Sequence, residues 1–140
     1  MENRRGGRKS TRPTNIANMK GRKIVIIEDE NDLAAALQEE LVRVGFVVRT
    51  ASSGEEGVQD IKRERPDLIL LDSMLPQMSG LQVLEELKTM REEKNIPVIM
   101  FSNSDNPDDI KKAREYNIEE YLVKTDWRLA DVVQKIKDVL

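Results

Sequence analysis

Five side chains able to do chemistry stand where short apolar segments of the sequence end. Glu28 and Asp29 follow KIVII, Asp72 ends DLILLD, Ser102 ends PVIMFS, and Lys124 follows EYLV. Carboxylates can bind a cation or attack as nucleophiles, and an ammonium or a hydroxyl can bind the oxygens of an anion. Each residue also has an ordinary reading, because Asp favours turns and helix caps, and a strand can end in a solvated Lys or an incidental Ser. Which reading applies depends on whether the fold brings these residues together.

Two kinds of apolar periodicity alternate from Lys23 onward, and they predict the elements that position these side chains. Short β-branched runs appear as KIVII, FVVRTA, DLILL, PVIMF and EYLV, with segments of helical spacing between them. The first, third and fourth runs are continuously apolar, as strands of a parallel sheet covered on both faces require. Right-handed crossovers then predict an α/β fold, doubly wound around a five-stranded parallel sheet.

Capping signals mark the predicted helix boundaries. Gly45 is predicted to end the first helix, whose stripe begins at Leu33, and the predicted N-caps are Ser53, Ser79, Asn106 and Asp126. The third helix is expected to carry one stripe, made of Leu81, Leu84, Leu87 and Met90.

Ligands of doubly wound sheets bind at the carboxyl ends of the strands, where the five chemical side chains are predicted to gather. A nucleotide or flavin site would need glycines and free N–H groups after the first strand, but this chain places acids there. Clustered carboxylates repel one another unless a cation intervenes, and Mg²⁺ prefers such oxygen ligands. With Lys124 nearby as a point charge, Asp72 is predicted to be a nucleophile that becomes an acyl phosphate.

Composition excludes several other classes of chemistry. Among 140 residues there is no Cys and no His, which excludes disulfides, thiolate chemistry and imidazole bases. No apolar run approaches the roughly 18 residues that a membrane span needs, so neither a membrane nor a secretory signal is predicted. The expected location is cytoplasmic.

Charge divides the chain into a basic arm, residues 1–22, and an acidic domain, residues 23–140. The arm is rich in Arg, Gly, Ser, Thr and Asn and lacks apolar periodicity, which predicts disorder. It is interpreted either as a tether for nucleic acid or an acidic partner, or as a leader or an over-long start, since Met19 is an alternative start. The acidic domain is not expected to bind nucleic acid by itself.

Four fragments, VIIEDE, LILLDSMLP, PVIMFS and YLVK, together resemble the response-regulator receiver domain of two-component signalling. The resemblance covers residues 23–140 and implies a flavodoxin-like (βα)5 sheet with strand order 2-1-3-4-5. It implies that Asp72 is the phosphoacceptor and that Asp29 binds Mg²⁺ directly. Glu28 would be the partner of Asp29, often through water, and Met74 would offer its backbone carbonyl to the metal.

The same resemblance implies a switch built on three further residues. Ser102 would be the switch hydroxyl, Lys124 the phosphate-binding lysine and Tyr121 the switch aromatic. Tyr121 could instead be plain core, and Trp127 could be either a recognition anchor or a packed helix-start aromatic.

The implied function is a phosphorylation-activated switch rather than an enzyme. A histidine kinase or phosphotransfer protein would donate a phosphoryl group to Asp72. The face made by the fourth helix, fifth strand and fifth helix would then change and control a downstream protein target. No second domain follows Leu140, so no DNA-binding output is expected.

Two departures and two alternatives accompany this interpretation. Thr125 follows the lysine where the family usually has Pro, which predicts a trans peptide and an altered entry to the last helix. Asn103 stands where a small residue is common and could narrow access to the phosphoryl group. A haloacid-dehalogenase-type phosphohydrolase would need a second Asp at the position of Met74. A receiver-like scaffold that works without phosphorylation is the other alternative.

Overall fold

A computed structural model describes residues 20–140, and within them all five predicted strands form one parallel sheet. The strands are β1 (Lys23–Ile27), β2 (Val47–Ala51), β3 (Leu68–Leu71), β4 (Val98–Ser102) and β5 (Glu120–Val123). Their order is β2-β1-β3-β4-β5, and every neighbouring pair is parallel. The predicted fold class and strand order are therefore confirmed. The predicted arm, as far as residue 19, lies outside the described residues.

Residues 20–140 also contain six α-helices and one 3-10 turn, of which the last helix and the turn follow the final strand. They are α1 (Asn31–Val44), α2 (Gly54–Arg63), α3 (Gly80–Glu86), α4 (Lys88–Lys94), α5 (Pro107–Arg114) and α6 (Leu129–Val139), with the 3-10 turn at Lys124–Asp126. None of the helices in residues 20–140 is long and apolar enough to cross a membrane.

Most of the predicted helix caps are found in the structure. The hydroxyls of Ser53 and Ser79 accept from the backbone N–H groups of Glu56 and Gln82, and the Asn106 side chain caps α5. Gly45 ends α1 with φ of 116°, a left-handed conformation that glycine adopts without steric cost.

Two predictions about helices are wrong. The third helical stripe does not form one helix, because Leu87 (φ −96°, ψ 2°) interrupts it between α3 and α4. Asp126 does not cap the last helix, because it ends the 3-10 turn and Arg128 occupies the N-cap of α6. The 3-10 turn Lys124–Asp126 includes the residue that had been expected to cap the last helix, so α6 begins later, at Leu129.

The sheet separates two apolar cores, because successive side chains of a strand point to opposite faces. Val25 and Ile27 of β1 pack with residues of α2, α3, α4 and α5, while Ile24 and Ile26 pack with residues of α1 and α6. Strands β1, β3 and β4 are buried on both sides, which explains their continuous apolar sequences. This rigid frame ends at one edge in the polar residues of the candidate site.

Candidate functional site

The carboxyl ends of β1 and β3 bring three carboxylates together. Carboxylate oxygens of Glu28, Asp29 and Asp72 lie within 4.8 Å of one another. The pairing of Ile27 with Leu71 causes this proximity, because each is the last residue of its strand and the acids follow directly. Glu28 and Asp72 are buried, both 3% exposed, whereas Asp29 faces solvent.

Asp72 is held at both of its carboxylate oxygens. Its Oδ1 accepts the backbone N–H of Met74 at 3.0 Å, and its Oδ2 lies 3.3 Å from the Nζ of Lys124. Its own backbone N–H donates to the carbonyl of Ile27 at 3.0 Å, so β1 fixes the backbone that carries it. The Met74 side chain is exposed, and Met74 contributes to the site through its backbone.

A close backbone contact supports the loop after Asp72. The N–H of Gly80 donates to the carbonyl of Ser73 at 3.0 Å. A Cβ at position 80 would lie 2.6 Å from the Cα of Ser73 and 2.7 Å from the carbonyl oxygen of Asp72, closer than real contacts allow. Glycine at the start of α3 is therefore needed for this approach.

Lys124 contacts acids that follow two different strands, β1 and β3. Its Nζ lies 2.9 Å from Glu28 Oε1, 2.9 Å from Glu30 Oε2 and 3.3 Å from Asp72 Oδ2, and its side chain is only 9% exposed. The ammonium has three N–H donors, and carboxylate oxygens of three residues surround it. The two glutamates lie closer to it than Asp72 does.

Burial and the lysine shift the titration of these groups in opposite directions. Burial raises the pKa of Glu28 to about 7, against the opposing hydrogen bond from Lys124, and the negative charge of Asp72 adds to the rise. Burial works to lower the pKa of Lys124, but its hydrogen bonds to Glu30 and Glu28 outweigh that effect and the pKa is raised. The pKa of Glu30 is lowered, chiefly by its hydrogen bond with Lys124. The site therefore holds more negative charge than its single ammonium balances.

The donor set fits a hard divalent cation. Glu28, Asp29 and Asp72 each offer a carboxylate oxygen, and no Cys or His is present to favour a softer metal. Burial chiefly, and then the negative charge of Asp72, raise the pKa of Glu28, and a bound cation would offset the repulsion between these two carboxylates.

Three hydroxyl-bearing residues connect β4 and β5 beside the carboxylates. Ser102 is fully buried, and its Oγ accepts the backbone N–H of Ser104 at 3.1 Å. The hydroxyl of Tyr121 donates to the carbonyl of Ser104 at 3.0 Å, with the ring 8% exposed. The side chain of Ser104 donates to Asp109 in α5 at 2.7 Å. One loop residue therefore contacts both predicted switch residues and α5.

Sequence reasoning missed two residues of this site. Glu30 binds Lys124 across 94 positions of sequence, and Ser73 forms a hydrogen bond with the hydroxyl of Ser102. A third acid after β1 was the available signal for Glu30. Ser73 gave no signal beyond its place next to Asp72.

The chain matches the family model described as response regulator receiver domain over residues 24–137. It is 35% identical over 119 residues to the alkaline phosphatase synthesis transcriptional regulatory protein PhoP of Bacillus subtilis. That alignment covers 85% of this chain and 48% of the relative, so the chain spans about half the length of this curated relative.

Solved structures share the fold. A CheY-like response regulator receiver domain protein from Methanospirillum hungatei superposes with a TM-score of 0.80 at 24% identity, covering 86% of this chain and 94% of that one. The response regulator TrrA of Thermotoga maritima, solved in complex with Mg²⁺ and BeF, has a TM-score of 0.73 at 27% identity. It covers 85% of this chain and 99% of its own.

One expectation from the sequence is contradicted by these relatives. The absence of a DNA-binding output had been expected because no second domain follows Leu140. The relatives include transcriptional regulatory proteins, of which this chain corresponds to about half. A receiver sequence carries no information about the output to which it is joined, so that expectation was wrong.

The family model and the fold confirm the resemblance to receiver domains that the sequence fragments indicated. The family model covers most of the described residues, and the sheet has the strand order that the resemblance implied. The chain belongs to the response-regulator receiver domains.

Proposed function

We propose that this receiver is a switch that accepts a phosphoryl group on Asp72 from the phosphohistidine of a histidine kinase or phosphotransfer protein. The observation that carries the proposal is the setting of Asp72. It is buried among the acids of β1, has one oxygen bound by a backbone N–H, and has the other beside the ammonium of Lys124. A carboxylate held only for stability would not need two further carboxylates within 4.8 Å of it.

In the proposed reaction an oxygen of Asp72 attacks phosphorus. The new O–P bond gives an acyl phosphate, and the P–N bond to the donor imidazole breaks with its electron pair leaving on nitrogen. Lys124 would bind a phosphoryl oxygen, because it already contacts Asp72 and its raised pKa keeps it protonated. The proposed step has no proton to remove from the nucleophile, so the chain needs no base of its own.

Glu28, Asp29 and Asp72 would hold Mg²⁺, with the backbone carbonyl of Met74 as the fourth protein ligand. When bound, the ion would supply positive charge to balance the phosphoryl oxygens. Glu28 would act as an anchor beside Lys124, and Asp29, the exposed member, would be the more direct ligand.

The proposed output is the face formed by α5, β5 and α6. Ser102 would donate its proton to the new phosphoryl oxygens, and the Ser104 loop, which contacts both Ser102 and Tyr121, would move with it. Phosphorylation would then change the population of the states in which this face binds a partner. Turnover of a separate substrate is not part of this function.

Labelling by a phosphorylated small molecule tests the proposal. Wild type should be labelled by phosphoramidate in the presence of Mg²⁺ and not after chelation, and Asp72→Asn should lose the label, because no carboxylate nucleophile remains.

Asp67→Asn is the matched control for that substitution. Asp67 precedes the other end of β3 and binds the backbone N–H of Lys23 at 2.7 Å, far from the proposed acceptor, so labelling should persist. Undiminished labelling of Asp72→Asn would refute the assignment. A wild type that is never labelled would favour the scaffold alternative.

A further inference from the structure

Ser73, the residue after the proposed phosphoacceptor, forms a hydrogen bond with Ser102, the proposed switch hydroxyl. The two side chains meet because β3 and β4 are neighbours, with Leu71 paired to Met100. The contact joins the loop that carries Asp72 to the strand that would register phosphorylation.

The Ser73 backbone has little freedom to move away from this contact. Its carbonyl accepts the N–H of Gly80 at 3.0 Å, and its Cα lies so close to Gly80 that a Cβ there would be 2.6 Å away. The start of α3 therefore holds the Ser73 backbone in place. Only the rotation of the side chain about one bond remains.

The direction of the hydrogen bond follows from counting donors and acceptors. A hydroxyl has one proton and two acceptor sites. Ser102 Oγ already accepts the N–H of Ser104, and Ser73 is its only other hydrogen-bond partner among the described residues. Ser102 is fully buried, so its proton would be unsatisfied unless Ser73 accepts it. Ser73 is half-buried and can give its own proton to solvent.

We infer that Ser73 is a positioning residue, which holds the proton of Ser102 in the phosphoryl-free protein and releases it when the phosphoryl oxygens arrive. This inference rests on the proposed function. Ser73 competes with the phosphoryl group for one donor, and so sets how readily the switch responds. Its loss should therefore favour the loaded state.

Binding of beryllofluoride with Mg²⁺, followed by NMR on the full chain, measures this competition. Ser73→Ala removes the acceptor, and Ser73→Cys replaces it with a weak one. Each should tighten beryllofluoride binding by about two- to tenfold, the effect of one net hydrogen bond on an equilibrium constant. Ser73→Thr keeps the hydroxyl and should restore the wild-type affinity.

A double-mutant cycle with Ser102→Ala separates competition from packing. In the Ser102→Ala background, Ser73→Ala should leave the affinity unchanged, because no proton remains to compete for. Without any ligand, Ser73→Ala should also shift the amide resonance of Ser104, whose N–H binds Ser102. Ser52→Ala, a change at an exposed serine after β2, should neither tighten beryllofluoride binding nor shift the Ser104 amide resonance.

The outcomes distinguish this inference from the function on which it rests. If wild type binds beryllofluoride and neither Ser73→Ala nor Ser73→Cys binds it more tightly, the inference is overturned and the proposed function stands. Equal changes with and without Ser102 would also overturn it. If wild type itself fails to bind, both are overturned.

Discussion

At the scale of single residues, the site is organised around one ammonium and an excess of carboxylates. Lys124 contacts Glu28, Glu30 and Asp72, and Asp29 stands beside them without contacting the lysine in the described structure. An ion cluster of this kind does not stabilise the metal-free fold, because buried carboxylates lose hydration that one lysine cannot replace. The arrangement fits the cation that the site is proposed to bind.

Glu28 should make the metal-free protein less stable as pH rises. Its pKa is about 7 in the folded protein against an ordinary 4.5, so the folded state binds a proton that the unfolded state has released between these values. The free energy of unfolding should therefore fall as pH rises from about 4.5 to 7, by up to about 3 kcal/mol from this group. Glu28→Gln should lack that contribution.

Urea unfolding in EDTA at pH 5 and pH 8 measures the effect. The free energy of unfolding of Glu28→Gln, measured relative to that of wild type, should be higher at pH 8 than at pH 5. Glu55→Gln, at an exposed acid in the first turn of α2, should keep the wild-type pH dependence. A parallel pH dependence in Glu28→Gln would show that the carboxylate is already ionised at pH 5.

Four of the predicted site residues could be chosen from sequence because each ends or directly follows a strand, and parallel strands share an edge; they are Glu28, Asp72, Ser102 and Lys124. Glu30 and Ser73 were missed for a physical reason. Their roles come from partners 94 and 29 positions away, and periodicity along the chain contains no information about such pairs.

At the scale of elements, features that depend on local sequence could likewise be predicted, and features without a local signal could not. The strands and most caps could be predicted because they depend on local apolar patterns and on short polar side chains next to helix ends, whereas the order of the strands came from the family resemblance. The break at Leu87 and the start of α6 at Leu129 could not be predicted, because neither has a Pro, a Gly or a capping side chain to mark it.

Arg91 of α4 lies at the edge of the sheet opposite the acids. It is buried, and its guanidinium donates to the carbonyls of Ile96 (3.3 Å), Tyr116 (2.8 Å) and Asn117 (3.2 Å). It thus connects the loop before β4 with the residues that follow α5. A buried guanidinium with three carbonyl partners holds two helix ends together.

Arg91→Met should therefore destabilise the protein by about 2–4 kcal/mol, because buried carbonyls lose charged donors. Urea titration should show a lower midpoint with an unchanged slope. Beryllofluoride affinity should stay near wild type, since Arg91 is far from the carboxyl edge. Lys88→Met, an exposed change on the same helix, should have little effect on stability. An Arg91→Met protein with wild-type stability would mean that water replaces the guanidinium.

At the scale of the whole molecule, a rigid double core carries the reactive groups on loops at one edge. The proposed signal has to cross from that edge to the α5–β5–α6 face. In the described structure, the path of contacts runs from Ser102 to Ser104, and from Ser104 to Tyr121 and Asp109.

Ser102→Ala should separate chemistry from output along that path. Phosphorylation of Asp72 should persist, because the nucleophile, the acids and Lys124 are unchanged. The response of the face should be much smaller, because no hydroxyl remains to bind the phosphoryl oxygens. Chemical shifts at 110–116, Tyr121 and 127–129 should move on beryllofluoride binding in wild type and move much less in the variant. A full response in Ser102→Ala would place the switch elsewhere.

The long sequence separation between Lys124 and its acidic partners has a consequence for biosynthesis. Because the lysine follows the last of the five strands, a growing chain presents Glu28, Glu30 and Asp72 long before their counter-charge emerges from the ribosome. Until β5 joins the sheet, the acids repel one another and Asp72 lacks its ammonium partner. Under the proposed function, competence for phosphorylation would therefore be a late event in the maturation of the chain, and a nascent domain would not compete with finished copies for the donor.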